Sequence, residues 1–232
     1  TKLVVTASDD HTAKIWDVKT GKIIHNLTGH TKWVKDIDIS PDGKHVVTAS
    51  SDKTLKVWSV ETGKEILTFR EHANGVNGVA FHPSGKQIVS VGADNVMRLW
   101  DAGSGKQIKQ YKKDFENLFE VNFSPDGNTI ATNAMGTLVT WNKATGIKTH
   151  QYVRFRSNNK PKFSKNGSYM ASGGIGKLVV WDIDSKKEHL VIEEENIGAL
   201  GFAFSPDSRF FATGTRSDVI KLWDLSDGEL FK

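Results

Sequence analysis

The sequence predicts an all-β protein built as a tandem array of small four-stranded antiparallel sheets. Six of the seven tryptophans stand in one register: Trp16, Trp58, Trp100, Trp141, Trp181 and Trp223 are 42, 42, 41, 40 and 42 residues apart. A turn sequence of the Ser-Pro-Asp-Gly type recurs in step with them. No segment sustains the 3.6-residue apolar period of an amphipathic helix.

Each tryptophan closes a short β-patterned run, AKIW, LKVW, MRLW, LVTW, LVVW and IKLW in chain order, followed by Asp17, Ser59, Asp101, Asn142, Asp182 and Asp224. Ser40-Pro41-Asp42-Gly43 recurs as His82-Pro83-Ser84-Gly85, Ser124-Pro125-Asp126-Gly127, Ser164-Lys165-Asn166-Gly167 and Ser205-Pro206-Asp207-Ser208. Proline sets φ at the second turn position, Asp or Asn bonds its own backbone, and glycine takes the left-handed position, so these are hairpin turns. A second tight turn, Lys19-Thr20-Gly21-Lys22, follows the tryptophan strand and returns as Glu61-Thr62-Gly63-Lys64 and Gly103-Ser104-Gly105-Lys106. Between turns, the second repeat reads as strands over roughly 34–39, 45–50, 54–59 and 64–69. The first repeat supplies strands near 2–8, 12–17 and 23–28, and residues 228–232 read as the outer strand of the last repeat.

Four strands per repeat of about 40–45 residues with Trp-Asp endings resembles the WD40 family along the whole chain. The resemblance implies a β-propeller whose blades are each tied by a histidine, a serine or threonine, an aspartate and the tryptophan. In the second repeat these positions are His30, Ser50, Asp52 and Trp58; in the third they are His72, Asp94 and Trp100, with Gly92 where the hydroxyl is expected. Later repeats depart from the pattern, offering Asn133 and Met135 before Trp141, Gly173 and Ile175 before Trp181, and Thr215 with Asp218 before Trp223. Blades two and three are therefore expected to be the firmest.

His30 precedes Trp58 by 28 residues and His72 precedes Trp100 by the same interval. Measured back from Trp16, that interval runs off the start of the chain. The expectation is five complete four-stranded blades plus a first blade lacking its innermost strand. Residues 1–232 then form one WD40 segment of a longer, seven-bladed or larger array, a six-bladed ring short of one strand being the alternative.

Composition narrows the function classes. Zero cysteines exclude disulfides and thiolate metal sites and favour a reducing, cytoplasmic setting. A net charge of +4 permits an anionic partner without demanding one. Ser50-Ser51-Asp52-Lys53 has Ser-x-x-Lys spacing but falls on a repeat turn, the Gly-Lys stretches lack phosphate-loop spacing, and no histidines fall at metal-binding helical spacing. The expectation is therefore no enzyme, no cofactor and no metal.

In the WD40 family partners sit on the face carrying the loops before each first strand and after each second strand. By register the resemblance places Asp9, Trp33, Lys35, Ser51, Asn77, Asn117, Phe119 and Arg216 there. Trp33 stands outside the repeat series, and tryptophan is a common interface anchor. Residues 148–165 hold Lys148, His150, Arg154, Arg156, Lys160, Lys162 and Lys165 around Tyr152 and Phe155. Clustered positive charge of this kind attracts polyanions, and a solvated loop is the plainer reading. The leading expectation is a scaffold or sensor module binding a protein or peptide, one region of a larger signalling or regulatory protein with no membrane contact. The alternative is a propeller binding nucleic acid or another polyanion through residues 148–165, Arg154 and Arg156 foremost.

Overall fold

A computed structural model describes residues 2–111, 118–134, 137–154, 159–174, 176–193, 201–214 and 219–232. The described chain forms six antiparallel sheets of three or four strands, and it divides into two compact units, Thr1–Val121 and Asn122–Lys232.

In the first unit, β1 (Leu3–Ala7), β2 (Thr12–Asp17) and β3 (Ile23–Thr28) make a three-stranded sheet. The second sheet is β4 (Val34–Ile39), β5 (His45–Ser50), β6 (Leu55–Ser59) and β7 (Glu65–Phe69). The third is β8 (Val76–Phe81), β9 (Gln87–Gly92), β10 (Met97–Asp101) and β11 (Gln107–Gln110). The strands expected from the turn spacing of the first two repeats are all present. Ala13, Ile15 and Leu27 of the first sheet pack on Val34, Val46 and Trp58 of the second. The other face of the second sheet, with Val47, Leu55, Val57 and Phe69, packs on Val76, Val79, Ile88 and Trp100 of the third. Central strands buried on both faces explain why β5 and β9 read as nearly continuous small and apolar runs rather than as alternating ones.

Side chains also tie one innermost strand to the next. Asp36 Oδ2 accepts the Val79 amide and Asp38 Oδ2 the Phe81 amide, both at 2.8 Å. These charge-assisted bonds satisfy backbone donors on the edge strand of the third sheet.

In the second unit, β12 (Leu118–Phe123, its first four residues counted with the first unit), β13 (Thr129–Ala134), β14 (Thr137–Asn142) and β15 (Lys148–Arg154) form one sheet. Another is β16 (Lys162–Phe163), β17 (Tyr169–Gly174), β18 (Lys177–Asp182) and β19 (Glu188–Glu193). The last holds β20 (Phe202–Phe204), β21 (Phe210–Gly214) and β22 (Ile220–Asp224). Residues 228–232 lie along the outer edge of β22 as expected, but as a single bridge, Trp223 to Leu230, rather than a full strand. Backbone bonds from the Phe231 amide to the Leu222 carbonyl and from the Leu222 amide to the Lys232 carbonyl, both at 2.7 Å, tie the segment to β22, and the Phe231 ring lies tilted against Phe210 with centroids 5.0 Å apart.

One irregularity repeats. The outer strand slips by one residue at the tryptophan in five sheets, between Ile15/Trp16, Val57/Trp58, Leu99/Trp100, Thr140/Trp141 and Val180/Trp181. The residue left over is Ile24, Ile66, Ile108, Thr149 or His189, a β-bulge at a fixed place. In the first unit all three bulged isoleucines are exposed.

Candidate functional site

The chemistry of the first unit is concentrated in two polar networks beneath its loops. In the second sheet, Trp58 Nε1 donates to Thr48 Oγ1 at 2.9 Å, and Thr48 Oγ1 lies 2.7 Å from His30 Nε2. His30 Nδ1 lies 2.8 Å from Asp52 Oδ2. Asp52 also accepts from the Thr31 amide at 3.0 Å, the Thr54 amide at 2.9 Å and the Thr54 hydroxyl at 2.6 Å. The Asp52 carboxylate is acceptor-only, so His30 Nδ1–H donates to it; with the imidazole neutral, Nε2 accepts from the Thr48 hydroxyl, which in turn accepts from the donor-only Trp58 indole. That ordering uses a neutral imidazole. Burial pushes the His30 pKa down, against the opposing pull of Asp52. For Asp52 burial pushes upward, but the bonds from Thr54, His30 and Thr31 outweigh it and hold the carboxyl at about 2.

The hydroxyl that joins histidine to tryptophan is Thr48, not Ser50. Trp58 pairs with Val46, so the indole reaches the diagonal neighbour two residues along β5. Ser50 sits two residues further on, where its hydroxyl donates to the Lys32 carbonyl and accepts the Asp52 amide. The same offset corrects the third sheet. Its hydroxyl is present as Ser90, 2.9 Å from Trp100 Nε1 and 2.8 Å from His72 Nε2. At Gly92 a side chain would stand 2.8 Å from His72 Nδ1 and 3.0 Å from the Gly75 carbonyl. Glycine is there because the histidine loop fills the space.

Applied along the chain, the diagonal rule finds Thr6, Thr132 and Thr213, which accept from Trp16, Trp141 and Trp223 at 2.8, 2.9 and 3.2 Å. The tryptophan–hydroxyl bond therefore persists in the sheets of Trp141 and Trp223, where an offset of eight residues points to Asn133 and Thr215. In the sheet of Trp181, where that offset points to Gly173, the diagonal falls on Ser172, whose buried hydroxyl has no hydrogen-bond partner among the described residues. Met135, Ile175, Thr215 and Asp218 lie outside the described residues. The signal was available, since Thr6, Thr48, Ser90 and Thr132 are spaced by 42 residues.

The third sheet satisfies its aspartate differently. His72 Nδ1 is 3.0 Å from both Asp94 oxygens, the Ala73 amide donates at 3.0 Å, and Arg98 Nη1 donates at 2.8 Å. Val96 occupies the place of Thr54 and has no hydroxyl, so the buried Arg98 guanidinium stands in for it. The bonds from His72, Ala73 and Arg98 outweigh the upward push of burial and hold the Asp94 carboxyl well below its usual range.

On this base sit the residues expected to meet a partner. Trp33 is 52% exposed, and its carbonyl accepts the Ser51 amide at 2.9 Å. Lys35 Nζ lies 5.7 Å from the Trp33 ring centroid, within range of a cation–π attraction. The Val34 amide bonds the Ser8 carbonyl at 3.1 Å, which brings the loop of the exposed Asp9 to the same edge. At the position of Trp33 in the third sheet stands Gly75, where a side chain would meet the Ser51 backbone at 3.2 Å. The repeat thus leaves little room for a side chain at one copy of this position and bears a tryptophan at the other. Asn77 is half-buried and its amide is already spent on the Leu118 carbonyl at 2.8 Å; Phe119 is half-buried.

Asn117, Arg156, Arg216 and the side chain of Arg154 lie outside the described residues. Elsewhere in the basic segment, Lys148 Nζ bonds Gln151 at 3.0 Å and Lys162 Nζ donates to the Phe202 carbonyl at 2.7 Å. No group of three or more His, Asp or Glu side chains among the described residues is arranged to hold a metal ion. No helix among them is long and apolar enough to cross a membrane.

Comparison with known proteins bears on the same architecture. The family model described as the IFT122 first beta-propeller matches residues 1–232. The nuclear distribution protein PAC1 of Arthroderma otae is 55% identical over 42 residues, 18% of this chain and 9% of that protein. PAC1-2 of Uncinocarpus reesii is 52% identical over 42 residues, and PAC1 of Komagataella phaffii 42% over 41. These matches are one repeat long and cover less than a tenth of each relative's own length.

Proposed function

Because the chain belongs to the IFT122 first β-propeller family of WD40 proteins, we propose that it is a non-catalytic scaffold that docks a protein or peptide partner on its loop-bearing face, with Trp33 as the anchor. The observation that carries this reading is an exposed tryptophan on a loop pinned to Ser51 and set above a hydrogen-bonded network. A rigid aromatic over a satisfied base offers contact area at small ordering cost. Lys35 beside the ring and Asp9 on the adjoining loop supply rim charges of both signs. The propeller serves as one region of a larger cytoplasmic signalling or regulatory protein, the setting its cysteine-free composition favours.

A photo-crosslinking residue at position 33, and separately at position 108 on an outer strand, tests the reading in the whole protein. Protein adducts from position 33 that weaken in the Lys35→Ala background are expected. Adducts from position 108 alone, or adducts to nucleic acid, would overturn it.

A further inference from the structure

The chain contains three Asn-Gly pairs, Asn74-Gly75, Asn77-Gly78 and Asn166-Gly167. In such pairs the glycine nitrogen can attack the asparagine side chain, because no Cβ hinders it. The fold treats the three differently. At Asn77 the side-chain amide is held by the Leu118 carbonyl, and Gly78 is buried inside β8, paired with Val91. At Asn166 the side-chain oxygen accepts from the Ser164 hydroxyl at 2.7 Å and the Ser168 amide at 3.0 Å. The Gly167 nitrogen donates elsewhere, to the Ser164 carbonyl. Asn74 is exposed, and its side-chain oxygen instead accepts from the Gly75 nitrogen at 2.8 Å. The would-be nucleophile already faces the group it would attack.

We propose that Asn74 is a site of spontaneous covalent modification, the one of the three pairs that the native fold leaves poised for deamidation. The Gly75 nitrogen loses its proton to solvent and bonds Asn74 Cγ. The Cγ–Nδ2 bond breaks and ammonia leaves with a proton taken from water, giving a five-membered cyclic imide. One water then opens the ring at either carbonyl, to aspartate or to isoaspartate. No oxidant, reductant or enzyme is needed.

The place gives the reaction consequence. Asn74 follows Ala73, whose amide bonds Asp94, and precedes Gly75, whose carbonyl accepts the Ala93 amide. Either product adds a carboxylate to this loop, and isoaspartate also lengthens the backbone between those two anchors. The chemistry stands apart from the docking role; only its effect on a partner rests on that reading.

The test is a time course of the full chain at mildly alkaline pH, folded and urea-unfolded, with peptide mass spectrometry of all three pairs. In the folded chain Asn74 is expected to convert about ten-fold faster than Asn166, the factor imposed by native hydrogen bonds that must first break, with Asn77 slowest. In urea the three rates should converge. Equal folded rates, or Asn77 or Asn166 ahead of Asn74, would overturn the proposal. So would an Asn74 that converts more slowly folded than unfolded.

Discussion

Trp58 and Thr48 are joined by a 2.9 Å hydrogen bond between strands, indole to hydroxyl, and the same hydroxyl lies 2.7 Å from His30. The bond makes Thr48 the residue on which the second sheet's polar network turns. Thr48→Val keeps the shape but leaves a buried donor and a buried acceptor unpaired. Its expected cost is about 2–4 kcal/mol, against about 1 kcal/mol for Ser50→Ala, whose partners are loop backbone groups nearer to water. Urea denaturation of the two variants decides the order, and a larger loss at Ser50 would refute the assignment.

Acid should loosen this network from the histidine first. The His30 pKa is lowered in the folded chain, so its contribution is present above the unfolded value near 6.5 and is lost as pH falls below it. Asp52, held at about 2, contributes above its unfolded value near 3.8 and loses that contribution only as pH falls from there towards 2. Thermal melts from pH 7 to pH 5 should therefore show a drop in Tm that His30→Gln largely removes. An unchanged slope in that variant would place the acid sensitivity elsewhere.

In the third sheet, Arg98→Met should destabilise by about 2–4 kcal/mol, since Asp94 keeps its charge and loses a buried partner. Val96→Thr supplies the hydroxyl that Thr54 gives Asp52, and should restore part of that loss. A double-mutant cycle measures the coupling. Strict additivity would show that the two positions do not serve the same carboxylate.

Ser50 and Gly92 occupy matching positions but are not interchangeable. Gly92→Ser would crowd His72 Nδ1 and the Gly75 carbonyl, at an expected cost of about 1–3 kcal/mol. Chemical denaturation checks it, and a neutral result would mean that the histidine loop yields readily.

At the docking face, Trp33→Ala should weaken partner binding by about 2 kcal/mol, roughly thirty-fold, while leaving stability nearly unchanged. Titration calorimetry and a melt separate the two effects. A large fall in Tm would make Trp33 a packing residue instead.

Strand order, turns and the histidine–aspartate pairs were legible because each has a local rule: a period, a turn chemistry, a fixed spacing. The tryptophan's partner was misplaced by two residues because it depends on which cross-strand neighbour an indole can reach, and that follows from register rather than from spacing along one strand. Arg98 was missed for a related reason. It answers a missing hydroxyl at Val96, and a substitution is invisible until the two sheets are compared atom by atom. Asn77 matched the interface register yet is held by Leu118, because the backbone of the neighbouring strand claimed its amide first.

The slipped outer strands carry a consequence for solubility. An unpaired sheet edge is a template on which another chain can add, and fibres begin that way. Here β3, β7 and β11 each hold one residue too many for a regular ladder, at the same height in each of these three sheets. An incoming strand would find its bonds out of step after two or three residues. The rim can therefore show Ile24, Ile66 and Ile108 to water without inviting polymerisation. Deleting one of them, and so straightening the edge, would remove an apolar side chain and leave the molecule more prone to self-association.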